Sequence, residues 1–267
     1  MGAQGGFGWT ASMGGSCIVG GAQTTAGSVT TGCKGSLESI QDCTGLCVAK
    51  MATVSGPRQT YSIDVTEVTQ GQYSEWLATN PQLPPTTDET CGALTGYLQY
   101  GYRYTGSAPD HYPVVNVDWC SAYAYCLGVG KRLCGAIDGG SVSGEGYHDA
   151  TISQWYRACS SGGVNSYPYG NTYEQDFCSG ADAPTSWIPV GSLSNCVTSE
   201  SGFAGVYDLS GSVSEWENSC FLMGDLTFCN ARGGSFQDSE WVLACDAVTT
   251  SSTDYPRDDL GFRCCSA

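Results

Sequence analysis

Apolar and polar side chains alternate with period two through YSIDVTEV at 61–68, which predicts a strand with one buried face. Thr69 followed by Gln72 is a capping box, in which each side chain satisfies an amide of the first helical turn. It opens a short helix through Trp76 and Leu77 that stops before Asn80-Pro81. Asp118 can cap a second helix, WCSAYAYCLG, ended by Gly128 or Gly130, and Thr151 with Gln154 caps a third, ISQWYRACS, ended by Gly162. From Gly205 to Cys265 the pattern changes. Glycines 211, 233, 234 and 261 punctuate short apolar and aromatic runs, which predicts brief strands joined by tight turns. The expected architecture is α+β, with about three short helices, many short strands and long loops. In YLQYGYRYTG, Tyr100, Tyr102 and Tyr104 share one strand face, either as a contact surface or as cross-strand packing within the domain.

Composition narrows the class. The chain has 267 residues, long enough for one large domain with an appendage, and only 13% of them are charged. The formal net charge of -16 argues against nucleic acid as a partner, because phosphates would be repelled without a basic stripe, and none is present. Sixteen cysteines fit poorly with a reducing cytosol. Zinc is the competing use of cysteine, but the only histidines, His111 and His148, are far apart, and no paired C-x-x-C occurs. Structural disulfides and export to the cell surface or medium are therefore expected. Met1 to Thr10 has neither a basic nor an apolar leader region, so the sequence reads as a mature or trimmed form. No stretch approaches a membrane span.

Residues 1–50 are rich in Gly, Ser and Thr, carry Cys17, Cys33, Cys43 and Cys47, and hold few apolar residues. They are expected to form an arm held by one or two disulfides, with the main domain over 51–267. The start GAQGGFGW could instead pack into a neighbouring copy as a donated strand.

Six blocks occur in order: YSIDVTEVTQGQYSEWL, YPVVNVDWCSAYAYCLGVGKRLC, SQWYRACSSGG with YPYGN, GVYDLSGSVSEW, ARGGSF and LGFRC. Together they resemble the formylglycine-generating enzyme (sulfatase-modifying factor) domain family. The resemblance implies an irregular fold grouped with the C-type lectin-like folds. It also implies two crosslinks, Cys126 with Cys264 and Cys159 with Cys245. Cysteine-rich versions of the domain resemble exported bacterial proteins.

The family's enzyme oxidises a substrate cysteine with copper held by two thiolates shortly after R-G-G-S, because Cu(I) prefers soft sulfur ligands. In RGGSFQDSEWVLAC the corresponding positions hold Asp238 and Leu243, and the only nearby cysteine is Cys245. Copper and oxidase activity are therefore not expected. The resemblance also implies calcium sites, one around G-N-x-W-E. Here Ser212 and Glu215 with main-chain oxygens are the candidate ligands, and a purely hydrogen-bonded turn is the alternative. Asp208, Glu215 and Glu217 could form a carboxylate pair or could simply bond loop backbone.

Acids and aromatics replace the enzyme's active-site wall in FQDSEW and TTSSTDYPRDD. Phe236, Gln237, Asp238, Glu240, Trp241, Asp254, Tyr255 and Arg257 form the candidate ligand-binding set, suited to an extracellular glycan, peptide or protein. Three functions follow: a non-catalytic binding domain, a structural subunit that assembles with copies of itself into a surface filament, and a copper-dependent formylglycine-generating oxidase.

Overall fold

The computed structural model describes residues 17–19, 22–24, 33, 39–42, 45–57, 59–81, 91, 108–182 and 186–266. Two small antiparallel hairpins come first: β1 (Cys17–Val19) with β2 (Ala22–Thr24), and β3 (Ser39–Gln41) with β4 (Cys47–Ala49). Of residues 1–50, the β4 strand is buried throughout.

The main body holds two four-stranded sheets. In the first, β5 (Met51–Val54), β6 (Tyr61–Asp64), β12 (Cys264–Ser266) and β7 (Arg132–Leu133) lie side by side in that order, so the C-terminus is threaded between two N-terminal elements. In the second, β10 (Val248–Ser252), β9 (Leu226–Arg232), β8 (Ser214–Met223) and β11 (Leu260–Phe262) follow one another, with β11 parallel to β8.

Four helices are present among the described elements: α1 (Gln70–Ala78), α2 (Trp119–Gly128), α3 (Gln154–Cys159) and α4 (Glu240–Leu243). The capping box at Thr69 and Gln72 has both bonds in place, and the Asp118 carboxylate accepts the Ser121 amide at 2.7 Å. The third cap differs from expectation. Ser153, not Thr151, precedes the helix and accepts the Tyr156 amide at 3.0 Å. Thr151 is instead drawn into a local turn by Asp149, whose carboxylate accepts its amide at 2.7 Å. FQDSEW, expected to be loop, contains α4.

Gly261 does not mark a turn. It lies inside β11, where an added Cβ would come within 2.5 Å of the Val114 carbonyl, so the close approach of two backbones requires glycine. Gly211 does sit in a turn, with φ +74°, and a Cβ there would stand 2.0 Å from the Ser179 carbonyl.

Two apolar clusters form the interior. Trp119, Tyr125, Trp216, Phe262, Tyr73 and Trp76 lie between α1, α2 and the second sheet, and the ring centroids of Trp76 and Tyr125 are 5.3 Å apart. Ile63, Tyr61, Trp155, Val206 and Leu209 fill the space beneath α3. Buried indoles need a polar partner, and two find backbone: Trp119 Nε1 donates to the Glu217 carbonyl at 3.0 Å and Trp216 Nε1 to the Val117 carbonyl at 2.9 Å.

Seven disulfides join described residues: Cys33–Cys47, Cys91–Cys120, Cys126–Cys264, Cys134–Cys265, Cys159–Cys245, Cys178–Cys196 and Cys220–Cys229. Three of them close separations of 138, 131 and 86 residues: two tie α2 and the end of β7 to β12, and the third ties α3 to the turn between α4 and β10. By loop-closure entropy each contributes about 3–5 kcal/mol. No cysteine among the described residues is free.

Candidate functional site

The predicted loop residues lie on the rim of the second sheet. After β9 the chain turns at Ser235, whose amide and hydroxyl both donate to Asp238 Oδ2, at 2.8 and 2.9 Å. Asp238 therefore acts as the lock of its own turn. Phe236 is half-buried, its amide donating to the Ser212 carbonyl, while Gln237 is exposed. Glu240 and Trp241 open α4, and the indole of Trp241 is 76% exposed.

The second loop leaves β10 through Asp254, which accepts the Ser252 hydroxyl, and Tyr255, 62% exposed. Arg257 grips Asp259 with both arms of its guanidinium, at 2.7 and 2.6 Å. That bonding raises the Arg257 pKa further above its already high ordinary value. The two loops meet where the Ser235 hydroxyl reaches Asp259 Oδ2 at 3.4 Å. Asp238 and Arg257 are thus brought to one junction. Trp241 and Tyr255 are the large exposed aromatics of the two loops.

A feature absent from the predicted set flanks α4. Tyr167, Tyr169, Tyr173 and Phe177 pack as an aromatic group, with Tyr167 and Tyr169 stacked at 5.6 Å and Tyr169 and Phe177 edge-on at 5.0 Å. The Tyr167 hydroxyl donates to the Glu240 carbonyl at 3.3 Å, which ties the group to the predicted rim. Burial pushes the Tyr169 phenol up to about 12, so these hydroxyls stay neutral hydrogen-bonding groups. The only sequence signal was the density of tyrosines in YPYGNTY, which has no readable period. Tyr100, Tyr102 and Tyr104 lie outside the described residues.

Beneath the rim are the family's chemical positions. Leu243 is fully buried, and its methyls would stand 2.5 Å from a Cβ at Gly180 and 3.0 Å from one at Gly234, so glycines are needed to seat it. At the two positions where the resemblance puts thiolates stand a hydrocarbon, Leu243, and a hard carboxylate, Asp238, already bonded to Ser235. These residues do not fit Cu(I).

Glu215 accepts two bonds from Arg263, to Oε2 at 2.7 Å and to Oε1 at 2.5 Å, and a third from Trp155 Nε1 at 2.8 Å. A calcium ion at this carboxylate would have to displace the guanidinium. Ser212 is buried in a left-handed backbone conformation, φ +61°. No group of three or more acids, histidines or cysteines among the described residues is arranged for a metal.

Of the three acids, Asp208 and Glu215 share one buried cluster with Glu67 around Arg263, while Glu217 faces Arg232. Asp208 accepts the Gly191 amide at 2.6 Å, Glu215 holds Arg263, and Glu217 accepts the Ser153 hydroxyl at 2.6 Å with Arg232 at 3.9 Å. Burial pushes Asp208 up to about 6, and Glu67, raised by burial and by the Asp208 charge, is held well above the ordinary carboxylate range. His111 packs on Tyr112 with ring centroids 5.0 Å apart, and exposed His148 lies against Tyr147.

The α+β architecture, the long-range disulfide staples and the R-G-G-S turn define a domain of the formylglycine-generating-enzyme type of C-type lectin-like fold. The family model described as "Sulfatase-modifying factor enzyme 1-like domain" matches residues 21–267, and the chain belongs to that family. A relative named "Inactive C-alpha-formylglycine-generating enzyme 2" from Bos taurus is 30% identical over 175 residues, covering 58% of this chain and 50% of that protein. The chain thus spans about half the length of that curated relative. Among solved structures, CarF aligns with a TM-score of 0.51 at 20% identity, over 78% of this chain and 86% of its own. Treponema denticola variable protein 1 aligns with a TM-score of 0.50 at 18% identity, over 94% and 98%. Both likenesses establish the fold alone.

Proposed function

We propose that this chain is a non-catalytic, disulfide-stapled member of the family that recognises an extracellular ligand through its C-terminal rim. The observation that carries the reading is the fully buried Leu243 at a position where the oxidase chemistry needs a thiolate. The name of the matched relative, which calls that protein inactive, supports it. The disulfide content, and the absence of any described helix long and apolar enough to cross a membrane, accord with an extracellular or cell-surface location.

The rim offers Trp241, Tyr255 and the half-buried Tyr169 and Tyr173 as aromatic faces and Glu240 and Asp254 as acceptors. This combination suits a glycan or a peptide with exposed donors. The test has two arms. A sulfatase-type cysteine peptide incubated with the oxidised protein, Cu(I), reductant and oxygen is expected to stay unconverted by mass spectrometry, and aldehyde formation beside a working control would overturn the reading. A glycan and peptide array is expected to show saturable binding that Trp241→Ala reduces at least tenfold.

A second reading, a structural subunit of an extracellular filament, is favoured by the apolar tip of the β8–β9 hairpin. Phe221, Leu222, Met223 and Leu226 are all exposed there above the Cys220–Cys229 disulfide. Electron microscopy of native material distinguishes the two readings, since ordered polymers would favour the subunit.

A further inference from the structure

A second docking surface lies apart from the rim junction, along β10. This strand ends the second sheet, and no described strand pairs with its outer side. Its neighbours in that role are short: β11 at the other end has three residues, against five in β10. Open edges invite pairing, and proteins ordinarily blunt them with charge, proline or a bulge. β10 reads VTTSS and carries none of these. Its pairing with β9 is regular over Val248↔Arg232 to Ser252↔Phe228, so the strand is held in extended form with no outer strand partner among the described residues.

Beside this edge the sheet face opens into a cleft of about 340 Å³. Val248, Thr250 and Phe221 contribute to one side, and Tyr147 and Glu145 come from the turn at Gly144–His148. Phe221 stacks on Phe228 with ring centroids 6.3 Å apart, so the cleft is continuous with the exposed apolar hairpin tip.

The charges around the edge have one sign. Exposed Asp246 precedes β10, exposed Asp254 follows it, and exposed Glu145 lines the cleft. The nearby cations are already engaged: Arg232 is buried against Glu217 and three aromatic rings, and Arg257 is held by Asp259. A second copy of this chain, with its net charge of -16, would be repelled by the same acids.

We infer that β10 accepts an extended peptide segment of a partner protein as a fifth strand, with apolar side chains entering the cleft and basic residues at each end facing Asp246 and Asp254. Main-chain hydrogen bonds to the edge would supply affinity, and the cleft and the acids would supply selectivity. The surface shares Asp254 with the rim, so the two are told apart by Trp241→Ala, which should lower rim binding and leave binding of the edge peptide unchanged.

The probe is a synthetic peptide of alternating valine and threonine flanked by lysine at each end, compared with the same peptide flanked by glutamate. With the full chain, the lysine peptide is expected to bind saturably and to slow amide exchange at 248–252. Thr250→Lys, on an exposed side chain, is expected to weaken binding at least tenfold, and Asn195→Lys, an equal charge change on an exposed residue elsewhere, to alter it less than twofold. Absence of saturable binding, protection confined to another region, or equal binding of the glutamate peptide would overturn the proposal. Protection of 248–252 that grows with protein concentration in the absence of peptide would assign the edge to a second copy, and would overturn it also.

Discussion

Arg257 and Arg263 stand six positions apart and each grips a carboxylate with both arms of its guanidinium, yet they sit in opposite environments. The Arg257–Asp259 pair lies on the rim, with side chains 29% and 11% exposed. The Arg263–Glu215 pair is 0% and 1% exposed, and Arg263 also donates to the carbonyls of Asp64 and Tyr207. Water screens the first and lets its partners be exchanged. The second is shut off from water and held by further bonds, from Trp155 to Glu215 and from Arg263 to two carbonyls, so it knits β6, β8 and the C-terminal strands into one interior. In this fold, similar chemistry serves recognition at the surface and architecture beneath it.

The largest effect is expected at the buried pair. Arg263→Ala leaves Glu215 charged and unpaired and should cost about 3–5 kcal/mol, read as a loss of thermal stability by circular dichroism. Retention of wild-type stability would mean that the interior readily hydrates. Removing the Cys159–Cys245 bridge with paired alanines should cost about 2–5 kcal/mol, a similar loss by a different route, since the crosslink acts chiefly on the unfolded chain.

Acidity provides a third comparison. Burial raises Asp208 from 3.8 to about 6 and also raises Glu67, so the folded state holds protons more tightly than the unfolded one. The resulting stabilisation is complete below about pH 4 and is lost as pH rises through about 6. The melting temperature should therefore be higher at pH 5 than at pH 7, and Asp208→Asn should flatten that slope. A melting temperature that rises toward pH 7 would contradict the placement of these acids. On the rim, Arg257→Ala should change stability by less than about 1 kcal/mol, while binding of any rim ligand falls. An equal loss of stability in Arg257→Ala and Arg263→Ala would erase the distinction between the two pairs.

Much of the local structure was legible beforehand. Thr69 with Gln72 and Asp118 cap helices because those bonds span three residues and need no distant partner. Thr151 failed as a cap because nearby Asp149 took its amide and Ser153, bonded to Glu217 across the interior, replaced it. The fold class was visible through the ordered family blocks. Of the disulfides, two pairings followed from the resemblance. Cys134–Cys265 required knowing that β7 and β12 are neighbours.

Composition and spacing determined that this is a cysteine-rich, strongly acidic chain of short helices and strands, and its motifs determined the family. Tertiary structure decided what each acid does. Glu215 could be read as a calcium ligand until Arg263, 48 residues away, was seen to occupy it. It also decided that β10 ends its sheet among the described strands and that the tyrosines of 167–173 gather beside Glu240. The physical reason is range. Caps and alternation are set by bonds across a few residues, whereas burial, charge pairing and sheet edges depend on which distant segments the fold brings into contact.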